Sequence, residues 1–398
     1  MFFYIYFLRP PLLEVLPSSP VIITPQISND LRTESFEDSQ DLFYSWSPAA
    51  SSEDNFLNAT KPVKLTTWRQ ANAYKEITVP SPPGIRDGQS WRLILSSEPQ
   101  RYSINLEEVY GAESFGQAPF PVISMPIQFK KNANQNRGKQ EKIERHYDFT
   151  VQNIGQSRVD LALRITEQTS FDLDKKIWDS GIGLSSWLVS LAGKGDTLSS
   201  AKIHLRRALF SSTSKIIELG AGTGVVALTL GALRSVFIGN EDEVDNGCLI
   251  TTDLPSAMPL LEYNCSVNSH LFGRPNFRPK PEVLDWDAEL PPYTEALRGH
   301  LDAIIMADVT YNTTSFPALI QTLARLITLN PIDKPPLILL GYKERDATER
   351  CLWTMVTEIG IHLERVGERP GAGGAPVEVW VGNSRHHNSI SLSGPCQE

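Results

Sequence analysis

The stretch Ile216-Ile217-Glu218-Leu219-Gly220-Ala221-Gly222-Thr223-Gly224-Val225 decides how the rest of the chain is read. An apolar run of strand character ends in three glycines at alternating positions, and a helical pattern over 225–233 follows at once. Backbone without side chains at the carboxyl end of a strand lets a flat, bulky ligand approach closely. A dinucleotide fingerprint needs G-x-G-x-x-G, and the sixth position here is Val225. Glu218, just before the glycines, suits a ligand that carries a positive sulfonium and an amino group. A diphosphate would disfavour a carboxylate at that place.

Outward from this loop, short apolar runs alternate with helical patterns. The runs cover 215–219, 249–252, 282–284, 301–306, 336–341, 362–366 and 377–381. Between them, Phe316, Leu319, Ile320, Leu323 and Ile327 fall on one helical face, and Pro317 suits a first turn. Strands alternating with helices predict a parallel sheet covered on both faces, with the late pair 362–366 and 377–381 supplying an antiparallel last strand. The second run ends at Asp253-Leu254, where a carboxylate can accept hydrogen bonds from ribose hydroxyls. Dinucleotide enzymes use the same device, so Asp253 alone does not choose the cofactor. The third leads into Leu284-Asp285-Trp286, where Asp285 could take an adenine amino group and Trp286 could line a base pocket. Taken singly, Trp286 reads equally as a core aromatic.

The first hundred residues have another texture. Residues 17–90 are rich in Ser, Pro, Asp and Glu, and 45–54 and 79–84 read as linker, because such composition buries little. The apolar start Phe2 to Leu8 is far shorter than the roughly 20 residues of a membrane span, and it reads as a stray strand or a disordered end. Six basic residues between Lys130 and Arg145 read as a solvated loop, with no interleaved aromatics to mark a nucleic-acid patch. From Tyr147 the alternation Phe149/Val151 and Val159/Leu161/Leu163/Ile165 predicts a β-hairpin.

The 398 residues carry 46 acidic and 37 basic side chains, a net charge of −9. An acidic chain repels polyphosphate, which disfavours sequence-independent nucleic-acid binding. The four cysteines form no CxxC pair, so neither a zinc ribbon nor a disulfide framework organises the chain, no metal site is expected, and a reducing compartment fits.

Ordered along the chain stand Ile177-Trp178-Asp179-Ser180-Gly181-Ile182-Gly183-Leu184, then ELGAGTG, TTDLP with Asn264 soon after, LDW, and MADVTY. This set resembles the seven-strand S-adenosylmethionine methyltransferases that modify lysines of non-histone proteins. That methyltransferase-like group acts on Hsp70-type chaperones, AAA ATPases and translation elongation factors. The resemblance covers residues 145–385 and leaves the region before 145 without a counterpart. It implies an α/β fold, a doubly wound seven-strand Rossmann-like sheet, with an N-terminal β-hairpin and a partly disordered N-terminal extension. The domain reading is 1–100 as largely disordered low-complexity extension, 101–170 as a β-rich segment packing on the core, 171–385 as the methyltransferase domain, and 386–398 as a flexible tail. The implied cofactor is S-adenosyl-L-methionine, contacted by Trp178, Glu218, Gly220, Gly222, Gly224, Asp253, Leu254, Asp285, Trp286 and Ala307. Asp308 and Tyr311 match the family's D-x-x-Y element, which faces the entering lysine, and are the catalytic candidates.

The expected reaction is methylation of a lysine on a chaperone, ATPase or translation factor by a monomeric, cytoplasmic protein, with the nucleus as a second location. The expected partner is a protein, with no nucleic acid and no membrane. The alternatives are a nucleic-acid or small-molecule N-methyltransferase and a non-catalytic interaction protein that keeps the fold. Enzymes that methylate base amino groups carry a polar residue and Pro-Pro-aromatic after the fourth strand. Here Leu290-Pro291-Pro292-Tyr293 begins with leucine and follows the third, so it reads as a loop. The acidic insert 241–245, which lengthens the stretch from Gly224 to Asp253, reads as a surface loop. Residues 17–90 are expected to be dispensable for cofactor binding.

Overall fold

The computed structural model describes residues 1–49, 58–107, 113, 115–133, 138–152, 157–170, 172–193, 200–237 and 246–384. The acidic insert, the hairpin turn 153–156 and the tail 386–398 lie outside the described residues. The amino-terminal half is built of strands: β1 (Tyr4–Arg9), β2 (Glu14–Val15), β3 (Val21–Ser28), β4 (Gln40–Pro48), β5 (Val63–Trp68), β6 (Ile77–Val79), β7 (Ser90–Ser96), β8 (Ile104–Asn105), β9 (Val122–Ser124), β10 (Ile127–Phe129), β11 (Lys142–Gln152) and β12 (Arg158–Gln168). The second half alternates: α1 (Asp179–Gly193), α2 (Ser200–Phe210), β13 (Lys215–Leu219), α3 (Val225–Phe237), β14 (Cys248–Asp253), α4 (Met258–Val267), β15 (Lys280–Val283), β16 (Leu301–Ala307), α5 (Phe316–Ile327), β17 (Leu337–Lys343), α6 (Cys351–Glu358), β18 (Ile361–Arg369) and β19 (Val377–Ser384).

The second half forms one mixed sheet in the order β15-β14-β13-β16-β17-β19-β18. Its first five strands pair in parallel, and β19 runs antiparallel to both β17 and β18. Successive residues of a strand point to opposite faces, and the buried residues divide accordingly. Ile216, Ala303, Ile305 and Leu339 face a core shared with α1, α3 and the hairpin β11–β12. Ile217, Ile304, Met306 and Leu340 face a second core shared with α5 and α6. The chain enters at β13, runs outward to β14 and β15, then returns to the other side of β13 at β16. That reversal makes the crevice at the carboxyl ends of β13, β14 and β16 the place where an open sheet of this kind binds ligands. Both sheet edges are poor pairing partners. β15 is four residues long and contains Pro281, and β18 has a register shift between Arg365 and Gly367.

The expected disorder of residues 1–100 is overturned for the described part. β1, β3 and β6 form a three-stranded sheet, while β2, β4, β5 and β7–β12 form a nine-stranded one. Ile5, Phe7, Val21, Ile23, Ile27, Leu42, Trp46, Trp68 and Val79 are buried together in a third core. The composition of a long window hid short period-two alternation, such as buried Val21 and Ile23 around exposed Ile22. The supposed linker 45–54 begins inside β4, and the apolar start is a strand paired with β3. Part of the basic run is also misread as loop. Arg145 is buried in β11, where it pairs with Glu167 at 2.7 Å. The hairpin β11–β12, with eleven paired residues on each arm, belongs to the nine-stranded sheet and also packs on α1 and α3, so it joins the two halves.

Candidate functional site

The loop after β13 is shaped by positive backbone angles, +67° at Gly220, +55° at Gly222 and +82° at Gly224. Residues with a Cβ adopt such angles at a cost. A Cβ on Gly220 would stand 2.8 Å from Val309 and 3.4 Å from the Trp286 ring, so its absence keeps a slot open beneath the indole. Gly224 serves packing: a Cβ there would meet Leu261 of α4 at 2.5 Å.

Around this loop lies an open cleft. Its walls include Trp178, Glu218, Gly220, Gly222, Asp253, Leu254, Trp286, Ala307, Asp308 and Tyr311. The structure therefore brings together ten of the twelve residues singled out in the sequence. Gly224 is buried behind the loop, and Asp285 is exposed outside the cleft, with its carboxylate accepting the Asp287 N–H at 3.0 Å.

Four acidic side chains surround the cleft: Asp174, Glu218, Asp253 and Asp308. Glu218 is wholly buried and accepts the Thr251 hydroxyl at 2.6 Å. Burial pushes its pKa up to about 7, and the Asp253 charge adds to that rise. Asp253 ends β14 and accepts the N–H of Gly222 and of Leu254, both at 2.7 Å. Burial raises it above the ordinary carboxylate value. A carboxylate offers about four acceptor positions, so two N–H groups leave room for hydroxyl donors. Such a set favours a cationic ligand bearing hydroxyls.

Asp308 is the first residue after β16 and adopts a φ of +60°. Arg345 holds it in a two-pronged ion pair, with Nη2 to Oδ2 at 2.9 Å. The Ser180 N–H donates to the same oxygen at 3.2 Å. Burial works against the Arg345 charge, but Asp308 and Asp30 outweigh it and raise its pKa above the usual arginine value. The Arg345 guanidinium also lies 5.3 Å from the Trp178 ring centre. Tyr311 is 54% exposed at the mouth, beside exposed Leu173 and Leu254. Burial of its inner part and the surrounding carboxylates raise its pKa.

Residues that the sequence did not single out also shape the cleft: Leu173, Asp174, Lys176, Val309 and Ser315 line it, and Arg345 stands behind it. Lys176 is buried, with its pKa lowered to about 8 by that burial and by Arg32 nearby. Only proximity to Trp178 in sequence could have marked Asp174 and Lys176. Nothing local marks Arg345. Tyr293, of the Pro-Pro-Tyr run, donates to the Val283 carbonyl at 3.1 Å and is not among the lining residues.

The family model described as "Lysine methyltransferase" matches residues 157–359. A UPF0665 family protein, C23C4.06c of Schizosaccharomyces pombe, is 24% identical over 221 residues, 54% of either chain. The protein-lysine N-methyltransferase EFM6 of Saccharomyces cerevisiae is 27% identical over 186 residues, 45% of this chain and 70% of that one. EEF1A lysine methyltransferase 3 of Xenopus tropicalis is 32% identical over 112 residues, 28% of this chain and 41% of that one. The chain thus spans about half the length of the first relative and less than half of the third. Since the match covers just over half of the sequence and contains all three strands that floor the cleft, the chain belongs to the lysine methyltransferase family.

Proposed function

We propose that the chain transfers a methyl group from S-adenosylmethionine to a lysine side chain of a non-histone protein, a translation factor of the elongation class in the first instance. One observation carries the reading: the acidic, glycine-floored cleft at the strand reversal lies wholly within a fold unit that matches the lysine methyltransferase family. The residues present fit that cofactor. Asp253 has acceptor positions left for ribose hydroxyls, the slot kept open by Gly220 under Trp286 suits a flat base, and Glu218 suits an amino group.

When bound, the cofactor supplies an electrophilic methyl on a sulfonium, and the protein's task is alignment and exclusion of water. A free lysine has a pKa near 10.4 and must lose a proton before it attacks. Arg345 and Ser180 give Asp308 three N–H donors. Of about four acceptor positions, one remains to orient an incoming ammonium. Asp308 therefore orients the nucleophile, Tyr311 borders its path, and the proton leaves to water at the open mouth.

The test is incubation of a methyl-deficient cell extract with the purified protein and radioactive S-adenosylmethionine, with mapping by mass spectrometry. Label on a protein lysine is expected, and it should be lost in Asp308→Asn while cofactor affinity holds. Asparagine is the clean probe because it tolerates positive φ, where alanine adds backbone strain. Label confined to RNA, DNA or a small metabolite would overturn the reading.

A further inference from the structure

We infer that Asp30, on the loop after β3, is a positioning residue of the cleft, acting through Arg345 on Asp308 and Trp178. Its kinetic part rests on the proposed function. Asp30 lies outside the family-matched segment and in the region the sequence marked as expendable.

The loop is itself rigidly held. The Asn29 side-chain oxygen accepts the Thr33 and Glu34 N–H groups, and the Glu34 carbonyl accepts the Asn29 N–H. This presents a side chain with no exposed surface to the back of the cleft wall. Asp30 Oδ2 accepts from Arg345 Nη2 at 2.7 Å and from the Asp179 N–H at 3.2 Å. Its Oδ1 accepts from Lys343 at 3.2 Å, and its carbonyl takes Lys176 Nζ at 2.8 Å. The same Arg345 fork closes on Asp308 from the other side. Lys343 closes β17, and Arg345 stands two residues beyond it. Lys343 also binds Asp179 at 2.8 Å, the acid that receives Tyr4 Oη at 2.7 Å and the Phe2 N–H at 2.9 Å.

In this cluster Asp30, Asp179 and Asp308 face Lys176, Lys343 and Arg345, with the Met1 amino group, Arg32, Glu167 and Glu349 around them. Removing the Asp30 charge leaves a buried excess positive charge next to Asp308, and breaking one partner of a buried pair is strongly unfavourable. Arg345 then keeps Asp308 as its side-chain hydrogen-bond partner, and the acceptor position reserved for the ammonium is the one it takes.

The experiment compares Asp30→Asn, Arg345→Lys and their double variant in the full chain, by hydrogen exchange and by methyl transfer. Local coupling predicts that the amides of Ser180 and Val309 exchange about tenfold faster in Asp30→Asn, while β1 and β3 keep their protection. Arg345→Lys keeps the charge and loses the fork, so it should give the same local pattern. In transfer, Asp30→Asn should lower kcat about tenfold with the cofactor KM within twofold. The double variant should be no slower than Arg345→Lys alone, because both changes act through one guanidinium. Faster exchange spread across β1 and β3, or losses in kcat that multiply, would overturn the inference in favour of a merely structural role. So would unchanged exchange at Ser180 and Val309. The local exchange pattern combined with a wild-type protein that labels no lysine would retain the coupling and overturn the proposed function instead.

Discussion

The two halves of the molecule use ionisable side chains in opposite ways. In the sheet β13–β19, carboxylates stand at strand ends around an open cleft, with acceptor positions left over, as Asp253 shows. In the amino-terminal sheets they are spent on internal contacts. Glu144 is fully buried beneath Arg92, Arg164 and His146, and Glu167 is buried against Arg145 and the Ile177 N–H. Burial tends to raise the Glu144 pKa, but His146 and the two arginines outweigh it and leave it lowered. Glu218, buried without a cation, is raised. Glu144 is thus held charged by its counter-ions, whereas Glu218 has only the Thr251 hydroxyl to offset its burial.

The largest expected effect tests whether the halves are one cooperative unit. Trp46 is buried in the amino-terminal core and donates from Nε1 to the Pro80 carbonyl at 2.9 Å. Trp46→Ala should cost about 3–5 kcal/mol and lower a single melting transition, followed by calorimetry and by cofactor binding together. Two separated transitions, with binding retained after the first, would break the comparison by making the first half a detachable module.

Glu218 sharpens it through pH. Its folded pKa of about 7 lies above the ordinary 4.5. Between these values the native state holds a proton that the unfolded state has lost, so the contribution to stability is complete below pH 4.5 and declines as pH rises to 7. Denaturant titrations should show a loss of about 2–3 kcal/mol across that window relative to Glu218→Gln. Parallel curves for the two proteins would place Glu218 among the neutralised acids of the other half.

Asp253→Ala should weaken S-adenosylmethionine binding by about 1.5–3 kcal/mol, the scale of hydrogen bonds to a charged group. Calorimetry on the folded variant measures it, and an unchanged affinity would remove Asp253 from the site. The smallest effect is expected at Tyr311. Its side chain is 54% exposed, so Tyr311→Phe should shift cofactor affinity by less than about 0.5 kcal/mol, while Tyr311→Ala should lower kcat/KM for a protein acceptor.

These contrasts also explain what the sequence could and could not tell. The cleft was legible because its makers are local: three glycines at alternating positions, an acid at a strand end, and an indole after the next strand. Asp285 was misplaced because position after a strand does not decide on which side of the turn a carboxylate falls, and here it turns outward to the Asp287 N–H. The amino-terminal sheets were illegible because β5, β6, β9 and β10 are three to six residues long and separated by Pro- and Ser-rich turns. Asp30 could not be read at all, since its partners Lys343 and Arg345 are more than three hundred residues away in the chain.

The ends of the sheet β15–β18 set a condition on any partner. A strand that joins a sheet needs a run of free backbone groups in regular register. Pro281 withholds an N–H from the middle of one outermost strand, and the irregularity between Arg365 and Gly367 interrupts the other. Strand addition is thus closed at both ends. Under the proposed function, the acceptor would reach the mouth above the carboxyl ends of β13, β14 and β16 without adding a strand to this sheet. Its contacts would then come from exposed side chains around that mouth, Leu173, Leu254 and Tyr311 among them.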